Sequence, residues 1–473
     1  MYDNFDSPDE NDEKAIEEAL SKYKEMESGK VSHFFDSEEF EIIIDYFIAE
    51  NSLIKAEKII NDALTQYPSQ MVPFLLRKAI CYASSNQELK ALDILTEIET
   101  IEPGNADILL TKGAIYSQLQ RYEKAIEEFK KALKDYDELD EVYYSIAQEY
   151  QNLGQTDKAI AYLIKSLVAN PNNEAAIFEL SMVFELSSKS EDAVTFFSKF
   201  SDENPMMHLS WFCLAMAYAN VCLYEKAIQA FDYCIVLEEN FLSAYLNKCN
   251  ALMELEQYQK AIDTYHETMT IDPDNSYILY CIGECYLDMD DLENAEKFFL
   301  DSIKFSELFA EAWVGLASVY EEQCFFDRSI NCMEKALDLD EDNVDFLQYI
   351  AKLYHISDNS EKAIIFYKKA LVLLPDSTDT WLDLAELYYA DFENFNLAIA
   401  TLNEANVAIG HVDNEIITRI SAYLFLNGQI DEAELFLLSI QDTDFDYIGK
   451  ILLYDSTLIN NQPFWEMAER LKN

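Results

Sequence analysis

Residues 122–126 read Tyr-Glu-Lys-Ala-Ile, and the same five residues return at 224–228. Variants of the phrase stand at 156–160, 258–262 and 360–364. Aligned on the alanine, they share one grid: Ala91, Ala125, Ala159, Ala193, Ala227, Ala261, Ala295 and Ala363 follow at steps of 34, with Ser329 in the remaining slot. Ala56 precedes the run by 35 residues, and Ala398 and Ala433 continue it at that wider step, so the chain holds twelve units. A period of this length marks a stack of supersecondary units rather than one compact core.

Other columns keep step. Twelve residues before the alanine lies a small residue: Ala79, Gly113, Ala147, Ser181, Ala215, Cys249, Gly283, Ala317 and Ala351. Nine before it lies an aromatic: Tyr82, Tyr116, Tyr150, Phe184, Tyr218, Tyr286, Tyr320 and Tyr354, with Leu252 the exception. Twelve after it comes proline at Pro68, Pro103, Pro171, Pro205, Pro273 and Pro375, where a helix has to stop. Between these marks apolar residues recur at three and four, which predicts two amphipathic helices per unit, A and B, joined by a short polar turn. Small columns let the helices approach closely, and the aromatics fill the space between them.

These columns resemble the tetratricopeptide repeat family, whose pattern runs Trp-x2-Leu-Gly-x2-Tyr, then Ala-x3-Phe, then Pro. Trp211, Leu214, Ala215, Tyr218, Ala227 and Phe231 follow it, as do Trp313, Leu316, Ala317 and Tyr320, and Trp381, Leu384, Ala385 and Tyr388. Ser329, Ile44 in the first small column and an extra residue near 391–396 depart from it. The resemblance implies an all-α fold, a right-handed α-α superhelix of about twelve hairpins over residues 37–447, with helix A of each unit lining a concave groove. Residues 1–12 are expected to be a disordered acidic segment, 13–36 an N-terminal capping helix and 448–473 C-terminal capping helices, because terminal repeats otherwise expose apolar faces.

Composition narrows the function. With 89 Asp and Glu against 34 Lys and Arg, the formal net charge is −55. Nucleic acid and anionic membrane surfaces both need a basic face, so neither is an expected partner. Half of the residues are hydrophobic, which argues for folding despite the charge. Residues 205–224 contain no Asp, Glu, Lys or Arg, a run of membrane-spanning length, but they fit the end of one unit and helix A of the next. Nine cysteines without framework spacing and an acidic N-terminus without an apolar h-region suit a cytoplasmic protein.

No phosphate loop, dinucleotide fingerprint, zinc-protease motif or nucleophile elbow is present, so no enzyme, cofactor or metal is expected. Cys281 and Cys285, at i and i+4, lack a second ligand pair and read as small packing residues. Function then falls to helix A. With the alanine column numbered twenty, the family's groove positions are two, five, six, nine, twelve and thirteen. In the ten units from Ala91 to Ala398 these hold fourteen acids, among them Glu179, Glu185, Glu254, Glu284, Asp288, Glu321, Glu322, Asp383 and Glu386, against Arg77 and Lys352. The Lys/Asn/Arg clamp by which some relatives hold a C-terminal carboxylate is missing; Asn247 and Asn250 stand there without a groove lysine or arginine. Phe178, Met182, Phe212, Met216, Leu246, Met253 and Tyr280 form an expected apolar strip inside the acidic rim. Phe178, Phe212 and Leu246 either line the groove or pack between helices, whereas Met182 and Met216 are expected to be exposed. The reading is an interaction scaffold for a basic polypeptide with apolar anchors; the alternative is a structural subunit that uses its convex face and caps.

Overall fold

The computed structural model describes residues 10–27, 34–134, 136, 138–273, 275–410, 413–440, 446–454 and 456–471. Among these residues all regular structure is helical: twenty-seven α-helices and two short 3-10 turns. The chain divides into two compact units, 1–239 and 240–473.

The first unit begins with α1 (Glu10–Glu27) and continues as six hairpins. These are α2 (Ser37–Ala49) with α3 (Leu53–Gln66), α4 (Met71–Ser84) with α5 (Glu88–Ile101), and α6 (Ala106–Gln118) with α7 (Tyr122–Ala132). Then come α8 (Leu139–Asn152) with α9 (Thr156–Ala169), α10 (Glu174–Leu186) with α11 (Ser190–Glu203), and α12 (His208–Asn220) with α13 (Tyr224–Leu237). Of the segment expected to be disordered, residues 1–9 lie outside the described residues, and α1 starts at Glu10. α1 buries Ala19, Leu20 and Tyr23, and Tyr23 meets Phe47 of α2 edge-on at 5.6 Å.

The second unit has six further hairpins. α14 (Leu242–Glu254) pairs with α15 (Tyr258–Thr268), α16 (Ser276–Asp288) with α17 (Leu292–Phe305), and α18 (Ala310–Glu322) with α19 (Phe326–Leu339). α20 (Val344–Ile356) pairs with α21 (Ser360–Leu373), α22 (Thr378–Ala390) with α23 (Phe395–Ile409), and α24 (Asn414–Leu426) with α25 (Ile430–Leu438). α26 (Tyr447–Tyr454) then packs on α24, and α27 (Gln462–Leu471) on α25. Each unit is a helical-hairpin solenoid in which every hairpin packs on the next.

The periodic columns explain the stacking. The alanine column is buried in every hairpin, and Ser329 is as buried as the alanines. Four residues after it, Phe129 underlies Gly113 so closely that a Cβ there would lie 2.3 Å from the ring. Glycine at this point is a requirement of close approach. Lysine just before the alanine caps the aromatic of its own helix A: Lys124 sits 5.6 Å over Tyr116, Lys158 5.2 Å over Tyr150 and Lys362 4.6 Å over Tyr354. Thus the lysine of the repeated phrase is committed to the hairpin.

Each A–B turn closes on one residue in the left-handed region, from Asn51 to Gly428, twelve in all, of which only Gly154 and Gly428 are glycine. At Gly154 the backbone N–H donates to Gln151 and that of Gln155 to Tyr150, the paired bonds of a Schellman stop. At the other end of a hairpin, asparagine caps the entering helix A: Asn105, Asn173, Asn275 and Asn343 accept from N–H groups of the first turn. Residues 205–224 form a turn, α12 of thirteen residues, the following A–B turn and the first residue of α13; among the described residues no helix is long and apolar enough to cross a membrane.

Candidate functional site

The residues singled out on helix A fall in both units. In the first, Phe178 and Met182 of α10 are 42% and 48% exposed, whereas Phe212 and Met216 of α12 are half-buried. Phe178 meets Phe212 edge-on at 6.4 Å, and Phe212 in turn rests on the buried ring of Phe231 at 5.9 Å. The two phenylalanines therefore differ: one is a surface ring, the other is part of the inter-helix packing with one side showing. Glu179 is half-buried; burial raises the phenol of Tyr144, and the Glu179 charge adds to the rise. Glu185 is exposed at the C-terminal end of α10. Nearer the start of this unit, Arg77 forks onto Asp45 with two bonds of 2.8 Å and reaches Glu41 at 3.1 Å.

In the second unit, Leu246 and Met253 of α14 are half-buried. The Cys285 thiol donates to the Met253 sulfur at 3.1 Å, so Met253 is held by α16. Glu254 is exposed on the same helix. On α16, Tyr280, Glu284 and Asp288 stand one turn apart, and burial, then the charge of Glu284, raises the Tyr280 phenol. Burial raises the Glu284 carboxyl above its ordinary value, and Asp288 adds to the rise; partial desolvation by its neighbours raises Asp288, although its side chain stands exposed at the end of α16. On α22, Asp383 is raised by desolvation, then by the like charges of Glu386 and Asp379.

Two of the singled-out acids are engaged within the fold. Glu321 of α18 is 3.3 Å from Lys352 of α20, and Glu386 of α22 accepts from Arg419 of α24 at 2.9 Å. Glu322 stays exposed beside Glu321. Arg419 was not among the groove residues counted in the sequence because it lies in the last repeat; Tyr277 and Phe309 were also passed over, although Tyr277 occupies position two of its repeat. Arg77, Lys352 and Arg419 share one pattern: each takes a carboxylate from the preceding helix A.

The B helices of the last three hairpins carry an outward apolar face: Ile365 and Val372 of α21, Val407 of α23, and Leu435 and Leu438 of α25 are largely exposed. An open cleft of about 1020 Å³ along α19 and α21 is lined by apolar Trp313, Leu337, Phe366, Val372 and Leu373 and by charged Lys335, Lys369 and Asp338. All nine cysteines are free, seven of them buried. Among the described residues no group of three or more His, Cys, Asp or Glu is placed to hold a metal ion.

Comparison with known proteins gives the following. The family model described as Tetratricopeptide repeat matches residues 106–134, 140–173, 277–307 and 310–343. A TPR repeat-containing protein of Methanocaldococcus jannaschii is 24% identical over 382 residues, covering 72% of this chain and 65% of that protein. One of Bacillus subtilis is 21% identical over 395 residues, 82% of this chain and 87% of that protein. Anaphase-promoting complex subunit 3 of Schizosaccharomyces pombe is 21% identical over 221 residues, 47% of this chain and 28% of that protein. The chain thus spans just under two thirds of the first relative and little more than a quarter of the third.

Proposed function

We propose that this chain, a tetratricopeptide-repeat protein, is a cytoplasmic scaffold whose helix-A face holds a polypeptide segment carrying basic residues and apolar anchors. The observation that carries the reading is the fate of the cations on that face. Arg77, Lys352 and Arg419 are each tied to an acid of the preceding helix A, while desolvation raises Glu284, Asp288 and Asp383, with like charge adding to the rise at Glu284 and Asp383. An opposite charge from a partner relieves that cost. The exposed Phe178 and Met182 offer an apolar foothold in the first unit. No reactive centre enters this reading. α1 and the α26–α27 pair serve as caps, and the free thiols suit a reducing compartment.

A second reading is favoured by one observation, the outward apolar face of α21, α23 and α25: the chain is a structural subunit docked through that face. A relative named as a subunit of the anaphase-promoting complex is compatible with it. One experiment separates the two. Proteins retained from a cell lysate by the full chain are compared with those retained by Met182→Glu/Met216→Glu, Glu322→Lys/Asp383→Lys and Val407→Glu/Leu435→Glu variants whose melting is unchanged. Loss with either of the first two pairs supports the helix-A face. Loss with the third pair alone replaces it by the outer face.

A further inference from the structure

The fold displays twice, with its own side chains, how it holds a guanidinium. Arg77 stands at position six of its repeat and forks onto Asp45 at position nine of the repeat before. Arg419 also stands at position six; counted from Trp381 at position four, its partner Glu386 is at nine. The Arg419 guanidinium lies 3.6 Å from the Tyr454 ring centre and its Nη1 reaches the Tyr423 hydroxyl at 3.4 Å. Acid, aromatic face and phenol surround the charge, and the side chain is 12% exposed.

The wall made by α16 and the start of α18 contains the same chemical set without the cation. Glu284 is the acid at position nine, with Asp288 one turn further and Tyr280 one turn before it. Tyr277 is 43% exposed at position two; Phe309 meets Tyr280 edge-on at 5.4 Å and Tyr277 at 6.4 Å. Glu311 adds negative charge that acts on Tyr280. Position six of the next repeat, where arginine stands in the two filled cases, is Gly315. A Cβ there would lie 2.4 Å from Phe299, whose ring occupies the room a side chain would need. The fold therefore supplies no guanidinium of its own at this step, and no lysine or arginine is among the groups that act on Glu284 or Asp288.

We infer that the face formed by Tyr277, Tyr280, Glu284 and Asp288 docks an arginine side chain of a partner polypeptide. This rests on the helix-A reading above and narrows it to one residue type at one place. Arginine is preferred to lysine because its planar group can stack flat on a phenol ring while it forks onto a carboxylate; an ammonium can sit over such a ring but has no fork to offer the acid at the same time. The half-buried Glu284 is stronger than a fully solvated acid as an anchor, since screening there is weaker.

The test uses the full chain and three fluorescein-labelled peptides of one apolar-flanked sequence, with arginine, lysine or citrulline at its centre, followed by fluorescence anisotropy. Citrulline keeps the shape and removes the charge. The expected order is arginine, then lysine, then citrulline, with arginine about tenfold tighter than citrulline. Glu284→Gln and, separately, Tyr277→Ala should bring the arginine peptide close to the citrulline value and leave the citrulline peptide unmoved, with melting retained. If the arginine advantage persists in both variants, arginine is taken elsewhere on the helix-A face, and this inference falls while the scaffold reading stands. If the chain binds all three peptides alike, this inference and the basic-partner reading fall together.

Discussion

The Ser329 hydroxyl donates to the Ala317 carbonyl at 2.8 Å, from the alanine column of one hairpin to its small column twelve residues earlier. Both residues are fully buried, so the one serine among twelve column positions is satisfied by the neighbour that alanine merely touches. Ala317 sits in mid-helix, where its carbonyl already has a backbone partner. Replacing Ser329 by alanine removes a donor and strands no acceptor, so the change in stability should stay within about 0.5 kcal/mol. Ser329→Val has no room and should cost about 1–3 kcal/mol. Denaturant melts of the two variants check this; equal costs would mean that the slot is not tightly packed.

Acidity should stabilise the chain before it harms it. Desolvation raises Glu284, Asp288 and Asp383 in the second unit and Glu141 and Glu149 in the first. For a raised carboxyl the folded state holds the proton more tightly than the unfolded state. Between the ordinary value and the raised one the folded chain carries more protons, so stability falls as pH rises through that window. Melting temperature at constant ionic strength should therefore increase as pH is lowered from neutral towards the ordinary carboxylate range. Glu284→Gln should flatten the slope. An unchanged slope in that variant would place the effect on other groups.

The hairpins were legible because a buried alanine every 34 residues is a constraint written in one letter, and all its positions are buried as the period requires. The turns were not legible in the same way. Ten of the twelve left-handed turn residues are Asn, Gln, Ser, Cys, Asp or Glu, so the glycine signal that marks such a stop is missing. On the helix-A face, sequence columns identified which residues share a wall but not which were spoken for. Glu386 and Glu321 are bridged by cations 33 and 31 residues further on, one hairpin away, and the extra residue near 391–396 shifts the register between Glu386 and Arg419. Met253 is held by a thiol from the next helix A, a contact that no column encodes.

Those unusual turn residues give a direct test of strain. Cys324 has φ of 59° between α18 and α19, its N–H bonded to the Glu321 carbonyl at 2.8 Å, and its side chain is exposed. A β-carbon is disfavoured in this conformation, and the side chain contributes no buried contact in return. Cys324→Gly should thus stabilise the chain by about 0.5–1 kcal/mol, whereas Gly428→Ala at φ of 80° should destabilise it by a similar amount. Differential scanning calorimetry of the pair distinguishes turn strain from side-chain loss: strain predicts opposite signs, side-chain loss does not.

Salt offers the last test, because two electrostatic effects oppose one another. The chain carries −55 at neutral pH, and its acids outnumber its cations by 89 to 34. Self-repulsion of that size opposes compaction and is screened once the Debye length falls to about 10 Å near 0.1 M. Screening also weakens the ion pairs, but exposed bridges such as Lys199 with Glu203 and Lys335 with Asp338 contribute at most about 1 kcal/mol each. The bidentate Arg77 pair and the Arg419 pair are sheltered from much of it, with arginine side chains 19% and 12% exposed. Repulsion among many unpaired charges should outweigh the loss of a few bridges. Melting temperature is therefore expected to rise from about 10 to about 200 mM sodium chloride, and a fall over that range would show that the bridges, rather than the excess acids, govern stability.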